Sequence, residues 1–127
     1  MGFKRIIPVL RSLDENKSKD FYIDFLGFSV EFEHRYGKNY PLYLGLTKEN
    51  FHLHLTEHYG DCNTGSKVRV EIEGLEAFQR ELLNKDYKYC KPGIEKTEFE
   101  TMEMRITDPF GNMLIFYEAE NGKGTTK

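Results

Sequence analysis

His52 and His54 stand two residues apart in the run Phe51-His52-Leu53-His54-Leu55. On an extended chain that spacing puts both imidazoles on one face, where they can hydrogen-bond a ligand or share a metal ion. Glu57 and His58 follow closely, and Glu71 or Glu103 would be needed to complete a coordination sphere. A polar ligand wall is the simpler reading, and no metal ligand set is assigned. No nucleophile stands out. Ser12, Ser18 and Ser29 fall at cap or turn positions, Ser66 opens a strand, and none has a histidine neighbour at a suggestive spacing. Cys90 follows Tyr87 and Tyr89 on a short predicted strand and reads as core. No catalytic residue is assigned.

The elements that must position these groups follow one grammar used twice. Residues 3–58 and 66–119 each run strand, helix, then further strands, and each half closes on a hairpin: 42–46 with 51–55, and 102–106 with 113–117. In the first half, residues 6–10 read as a strand that Pro8 confines to an edge or an irregular pairing. Ser12 and Asp14 offer helix caps, and Phe21, Tyr22, Phe25 and Leu26 recur at helical spacing before Gly27. Residues 28–36 have strand composition. After a turn-rich linker over 59–66 the pattern restarts with a strand over 68–72 and a helical stripe of Leu75, Phe78 and Leu82. A short strand is expected at 87–90, and Asp108-Pro109-Phe110-Gly111-Asn112 makes a strong turn.

Alternation along these strands sorts the side chains into two faces. Leu42, Leu44, Leu46, Phe51, Leu53, Leu55, Val68, Val70, Ile72, Met102, Met104, Ile106, Leu114 and Phe116 share the parity that must face the helices. The other parity collects Tyr43, His52, His54, Arg69, Glu71, Glu103, Arg105 and Tyr117, which are the candidate ligand-binding residues. Lys67 belongs with them, and so do Glu31 and Glu33 if the second strand keeps register. Aromatic and imidazole groups are too frequent on that face for a surface that is merely wet.

Composition narrows the function classes. The chain has 127 residues, enough for one domain over about 1–120, followed by a polar tail at 121–127 that is expected to be disordered. A net charge of −3 and the lack of a Lys/Arg run argue against nucleic-acid binding. Cys62 and Cys90 match no zinc or redox spacing, and two thiols fit a cytoplasmic protein. The apolar run at 6–10 is too short for a signal peptide or a membrane span.

Ile7-Pro8-Val9-Leu10, Phe21-Tyr22 with Leu26-Gly27-Phe28, and the Asp108–Asn112 turn resemble, in order and spacing, the vicinal oxygen chelate superfamily of glyoxalases, bleomycin resistance proteins and dioxygenases. Within it the chain is most similar to the bleomycin resistance proteins, over about residues 4–118. The resemblance implies an α+β fold of two βαβββ modules forming curved mixed sheets, a homodimer with clefts at the subunit boundary, and a first strand exchanged between subunits near Pro8. It also implies that the metal-ligand positions of the enzymes fall on Ile7, His54, Lys67 and Ile115, where two aliphatic side chains and a lysine cannot coordinate. The function this implies is binding of a planar, cationic antibiotic of the bleomycin type without chemistry or cofactor. Glu31, Glu33, Glu71 and Glu103 would match its charge. The alternatives are a metal-dependent enzyme (a glyoxalase-like lyase or isomerase, a thiol transferase or a dioxygenase) and a binding module for an unrelated metabolite.

Overall fold

In the computed structural model, residues 1–99 and 101–119 are described. The tail expected at 121–127 lies outside them. The chain divides into two compact units. One comprises Met1–Ser66 with the turn Pro109–Asn112, the other Lys67–Asp108 with the chain from Met113 onward.

The first unit contains β1 (Val9–Arg11), α1 (Glu15–Lys19) running into a π-helix (Asp20–Phe25), β2 (Ser29–His34), β3 (Tyr43–Lys48) and β4 (Phe51–Thr56). They form a mixed sheet in the order β1-β4-β3-β2, with β1 parallel to β4 and the other pairs antiparallel. The first strand is shorter than the sequence suggests. It starts only at Val9, and Ile6 is 92% exposed. Pro8 has no N–H to offer a ladder, but its carbonyl accepts the His54 amide at 3.0 Å. The ladder therefore begins just beyond it.

Asp14 caps α1 by accepting the Lys17 amide at 2.8 Å, and Glu15 and Lys19 complement the helix dipole. The helix then widens: the Leu26 amide reaches the Phe21 carbonyl, five residues back. Phe21, Tyr22, Phe25 and Leu26 still share one buried side. In the sheet, Leu10, Leu44, Leu46, Leu53 and Leu55 are buried on a single parity. Each such leucine contributes about 1.5–3 kcal/mol by leaving water.

The second unit repeats the order with β5 (Lys67–Glu71), α2 (Leu75–Asn84), β6 (Ile94–Lys96), β7 (Thr101–Thr107) and β8 (Met113–Ala119), in a sheet ordered β5-β8-β7-β6. Here β5 lies parallel to β8, and β8-β7-β6 is antiparallel. Met104, Ile106, Leu114 and Phe116 are buried on one parity, with Phe78 of α2 edge-on to Phe116 at 5.2 Å. The strand expected at 87–90 is a turn instead, in which the Cys90 amide meets the Tyr87 carbonyl. Pro92 and Gly93 delay the strand to β6, because proline cannot donate to a ladder.

Candidate functional site

The open face of each sheet holds its own group of polar side chains. In the first unit the decisive feature is a bulge in β2, whose pairing with β3 shifts between Val30 and Phe32. The extra residue brings both Glu31 and Phe32 to the histidine side. Glu31 Oε1 lies 3.3 Å from His52 Nδ1, and the Phe32 ring stands edge-on to His54 with centroids 5.1 Å apart. Beyond the bulge the alternation is inverted. Glu33 pairs with Leu44 and accepts from Lys19 Nζ at 3.2 Å, on the side of α1. The expectation that Glu33 joins the ligand face is therefore corrected: the bulge inserts one residue, and one residue reverses every side chain after it.

Tyr43, His54 and Phe32 form a partly exposed wall. Phe32 is parallel to Tyr43, at 9° and 6.1 Å between centroids, and Tyr43 Oη lies 2.9 Å from His54 Nδ1. Burial lowers the pKa of His54, more than the nearby Glu31 carboxylate raises it. Burial also raises the pKa of the Tyr43 phenol. The pair is therefore a neutral imidazole bonded to a neutral phenol at physiological pH. Nδ1 is committed to Tyr43, and Nε2 has no partner among the described residues. His52 stands beside this wall, with Arg5 Nη1 at 3.4 Å and Glu31 on the same ring nitrogen. One nitrogen cannot accept from the guanidinium and donate to the carboxylate at once.

In the second unit, Glu71, Tyr117, Glu103 and Glu95 lie across four strands in one row, and Arg69, Ile115 and Arg105 form the next. Glu103 is nearly buried, its side chain 7% exposed, and each carboxylate oxygen faces one guanidinium. Arg69 Nη2 donates to Oε2 at 3.1 Å, and Arg105 Nη2 lies 3.6 Å from Oε1. The Arg69 guanidinium also covers the Tyr117 ring at 4.4 Å. Thus Tyr43, His52 and His54 gather in one unit, while Arg69, Glu71, Glu103, Arg105 and Tyr117 gather in the other.

The sequence reading missed Phe32 and Arg5. A usable signal for Phe32 was Gly45, since a glycine inside a strand often marks a close approach by another group. A surface groove of about 680 Å³ lies elsewhere in the first unit, lined by residues including Glu15, Arg35, Tyr40 and Glu57. Its Glu15 is already engaged by Arg35 and Lys19.

A divalent metal does not fit the positions that the resemblance assigns to its ligands: Ile7 and Ile115 bear no donor, Lys67 repels a cation, and the one imidazole left, His54, does not make a site by itself. Among the described residues no group of three or more His, Cys, Asp or Glu side chains converges on a common point.

The fold is similar to that of a bleomycin-binding protein in complex with bleomycin, at a TM-score of 0.70 and 21% identity over 93% of this chain and 100% of that one. It is also similar to a bleomycin resistance determinant encoded on the transposon Tn5, at a TM-score of 0.70 and 19% identity over 93% and 99%. An antibiotic-binding protein from Streptomyces sp. CB03234 aligns at a TM-score of 0.69 and 16% identity over 94% and 99%. No curated protein is significantly similar in sequence. The model of the glyoxalase superfamily matches residues 1–123. With two βαβββ units and a match along nearly its whole length, the chain belongs to the glyoxalase superfamily.

Proposed function

We propose that this protein binds a planar antibiotic of the bleomycin type and keeps it from its target without chemical change. The observation that carries the reading is the wall of Phe32, Tyr43 and His54: aromatic and neutral, with a ring nitrogen, His54 Nε2, that has no partner among the described residues and can orient a ligand. Stacking on such rings gives affinity to a flat molecule, and Glu31 at the border complements a positive charge on it. Proteins of the same fold that bind bleomycin or another antibiotic support the assignment.

Calorimetric titration with bleomycin tests it. Saturable binding near one drug per chain that weakens in Phe32→Ala is the expected result. No heat at micromolar drug would favour an unrelated metabolite. Turnover that EDTA abolishes and a divalent salt restores would favour a metal-dependent enzyme.

The same reading makes the protein a homodimer in the cytoplasm. Phe3 and Ile6, 97% and 92% exposed, give the N-terminal arm an apolar surface that a second copy can cover. The unpaired thiols Cys62 and Cys90 suit a reducing compartment. Light scattering of the intact chain should give twice the chain mass, and removal of residues 1–7 should lower it. A monomeric intact chain would sink the dimer.

A further inference from the structure

We propose that the open face of the second sheet is an oxyanion subsite, in which Arg69 and Arg105 bind a carboxylate or phosphate group above Ile115. The face is polarised along its strands. Glu71, Glu103 and Glu95 occupy one row, Arg69 and Arg105 flank Ile115 in the next, and Lys67 and Met113 lie beyond. Cations therefore gather at one end and carboxylates at the other. The positive end has an apolar floor, since Ile115 is only 6% exposed.

Glu103 sets the geometry. One residue of β8 separates the two arginines, so their backbones stand about 10 Å apart, two strand spacings. Both nevertheless bend to the same carboxylate, one to each oxygen. Arg69 is further pinned by the Tyr117 ring. Their side chains remain 51% and 56% exposed. Each uses only Nη2, so the Nε and Nη1 donors of both have no partner among the described residues. Two guanidinium groups share one carboxylate, which leaves forked donors on both, already oriented, for a second acceptor. Glu103 cannot serve a ligand cation, because its charge is already answered. The inference does not depend on the antibiotic reading, which rests on the other unit.

The test is a titration of the intact protein at constant ionic strength, with succinate in one arm and inorganic phosphate in the other. It is followed by NMR of the Ile115 methyl groups and the arginine Nε–H signals. Saturable shifts at Ile115, Arg69 and Arg105 in either arm are expected, and the responding arm names the oxyanion. Arg105→Gln should weaken that binding about tenfold, the worth of one charge-assisted donor, while Lys88→Gln leaves it unchanged. Arg105→Gln keeps Arg69 on Glu103, and its unfolding midpoint reports whether the sheet is intact. Linear shifts in both arms would overturn the subsite, as would equal affinity in a folded Arg105→Gln protein. Bleomycin binding without oxyanion binding would sink this inference alone, and the reverse would sink only the antibiotic reading.

Discussion

The ring of Phe32 lies directly over the backbone of Gly45, so close that a methyl group on Gly45 would sit 2.2 Å from its Cε2 atom. The two are partners across β2 and β3, immediately after the bulge. Glycine here leaves room for the ring, and the bulge delivers the ring to that room. Together they place an aromatic plane beside Tyr43 and His54.

Gly45→Ala should therefore push the Phe32 ring aside. Because Phe32 is 39% exposed, the ring can swing toward water, and the cost should be about 1 kcal/mol. The diagnostic is non-additivity: in Phe32→Ala the same glycine change should be nearly neutral, since no ring remains to displace. A double-mutant cycle by urea denaturation measures this coupling. Additive losses would show that the ring does not depend on Gly45.

His54 should make the protein less stable in mild acid. Its pKa is lowered in the folded state by burial, so the unfolded chain binds the proton more readily. The penalty is absent well above the ordinary value of 6.5, grows as pH falls through it, and levels off below the lowered folded value. Chemical denaturation from pH 8 to pH 5 should show a steeper loss in the native protein than in His54→Gln. Parallel curves would exclude the effect.

Much of this arrangement was legible in the sequence, because alternation survives wherever pairing is regular. Leu44 and Leu53 were assigned inward and Tyr43 and His54 outward, and β3 and β4 pair without a slip. Glu33 was misplaced because a bulge adds one residue without any break in composition. The strand expected at 6–10 shrank because apolar composition cannot tell a paired strand from an exposed arm. The pairing of Glu103 depends on partners at 69 and 105, and the bond from Arg69 spans 34 positions that local pattern cannot bridge.

Arg11 is expected to be the main fastener of the segment that follows β4. Although buried, its guanidinium meets three backbone carbonyls: Nε donates to Cys62 at 3.0 Å, Nη1 to Thr56 at 3.0 Å and Nη2 to His58 at 2.7 Å. Arg11→Met would strand those acceptors and should cost on the order of 3 kcal/mol. Arg11→Lys should recover only part, because one ammonium cannot reproduce the fork. Denaturation midpoints rank the variants, and limited proteolysis should cut near residues 58–62 first in Arg11→Met. An unchanged midpoint in that variant would mean that water satisfies the carbonyls equally well.

The start of α2 should prove to depend on a residue from the far end of its unit. Gly74 precedes the helix in a left-handed conformation, φ 79°, and has no side chain with which to cap it. Glu118 of β8 supplies the missing acceptors, its two oxygens each taking one amide at 3.0 Å, from Gly74 and Leu75. A carboxylate there also faces the positive end of the helix dipole. Glu118→Ala should cost about 1 kcal/mol, as loss of a helix cap does, and Glu118→Gln should lose less, because its amide keeps one acceptor oxygen. Hydrogen exchange gives the local readout. The amides of Gly74 and Leu75 should lose protection in Glu118→Ala, while that of Leu82 at the other end of α2 changes only with global stability. Equal loss at both ends would show that Glu118 stabilises the unit as a whole and does not act as a cap.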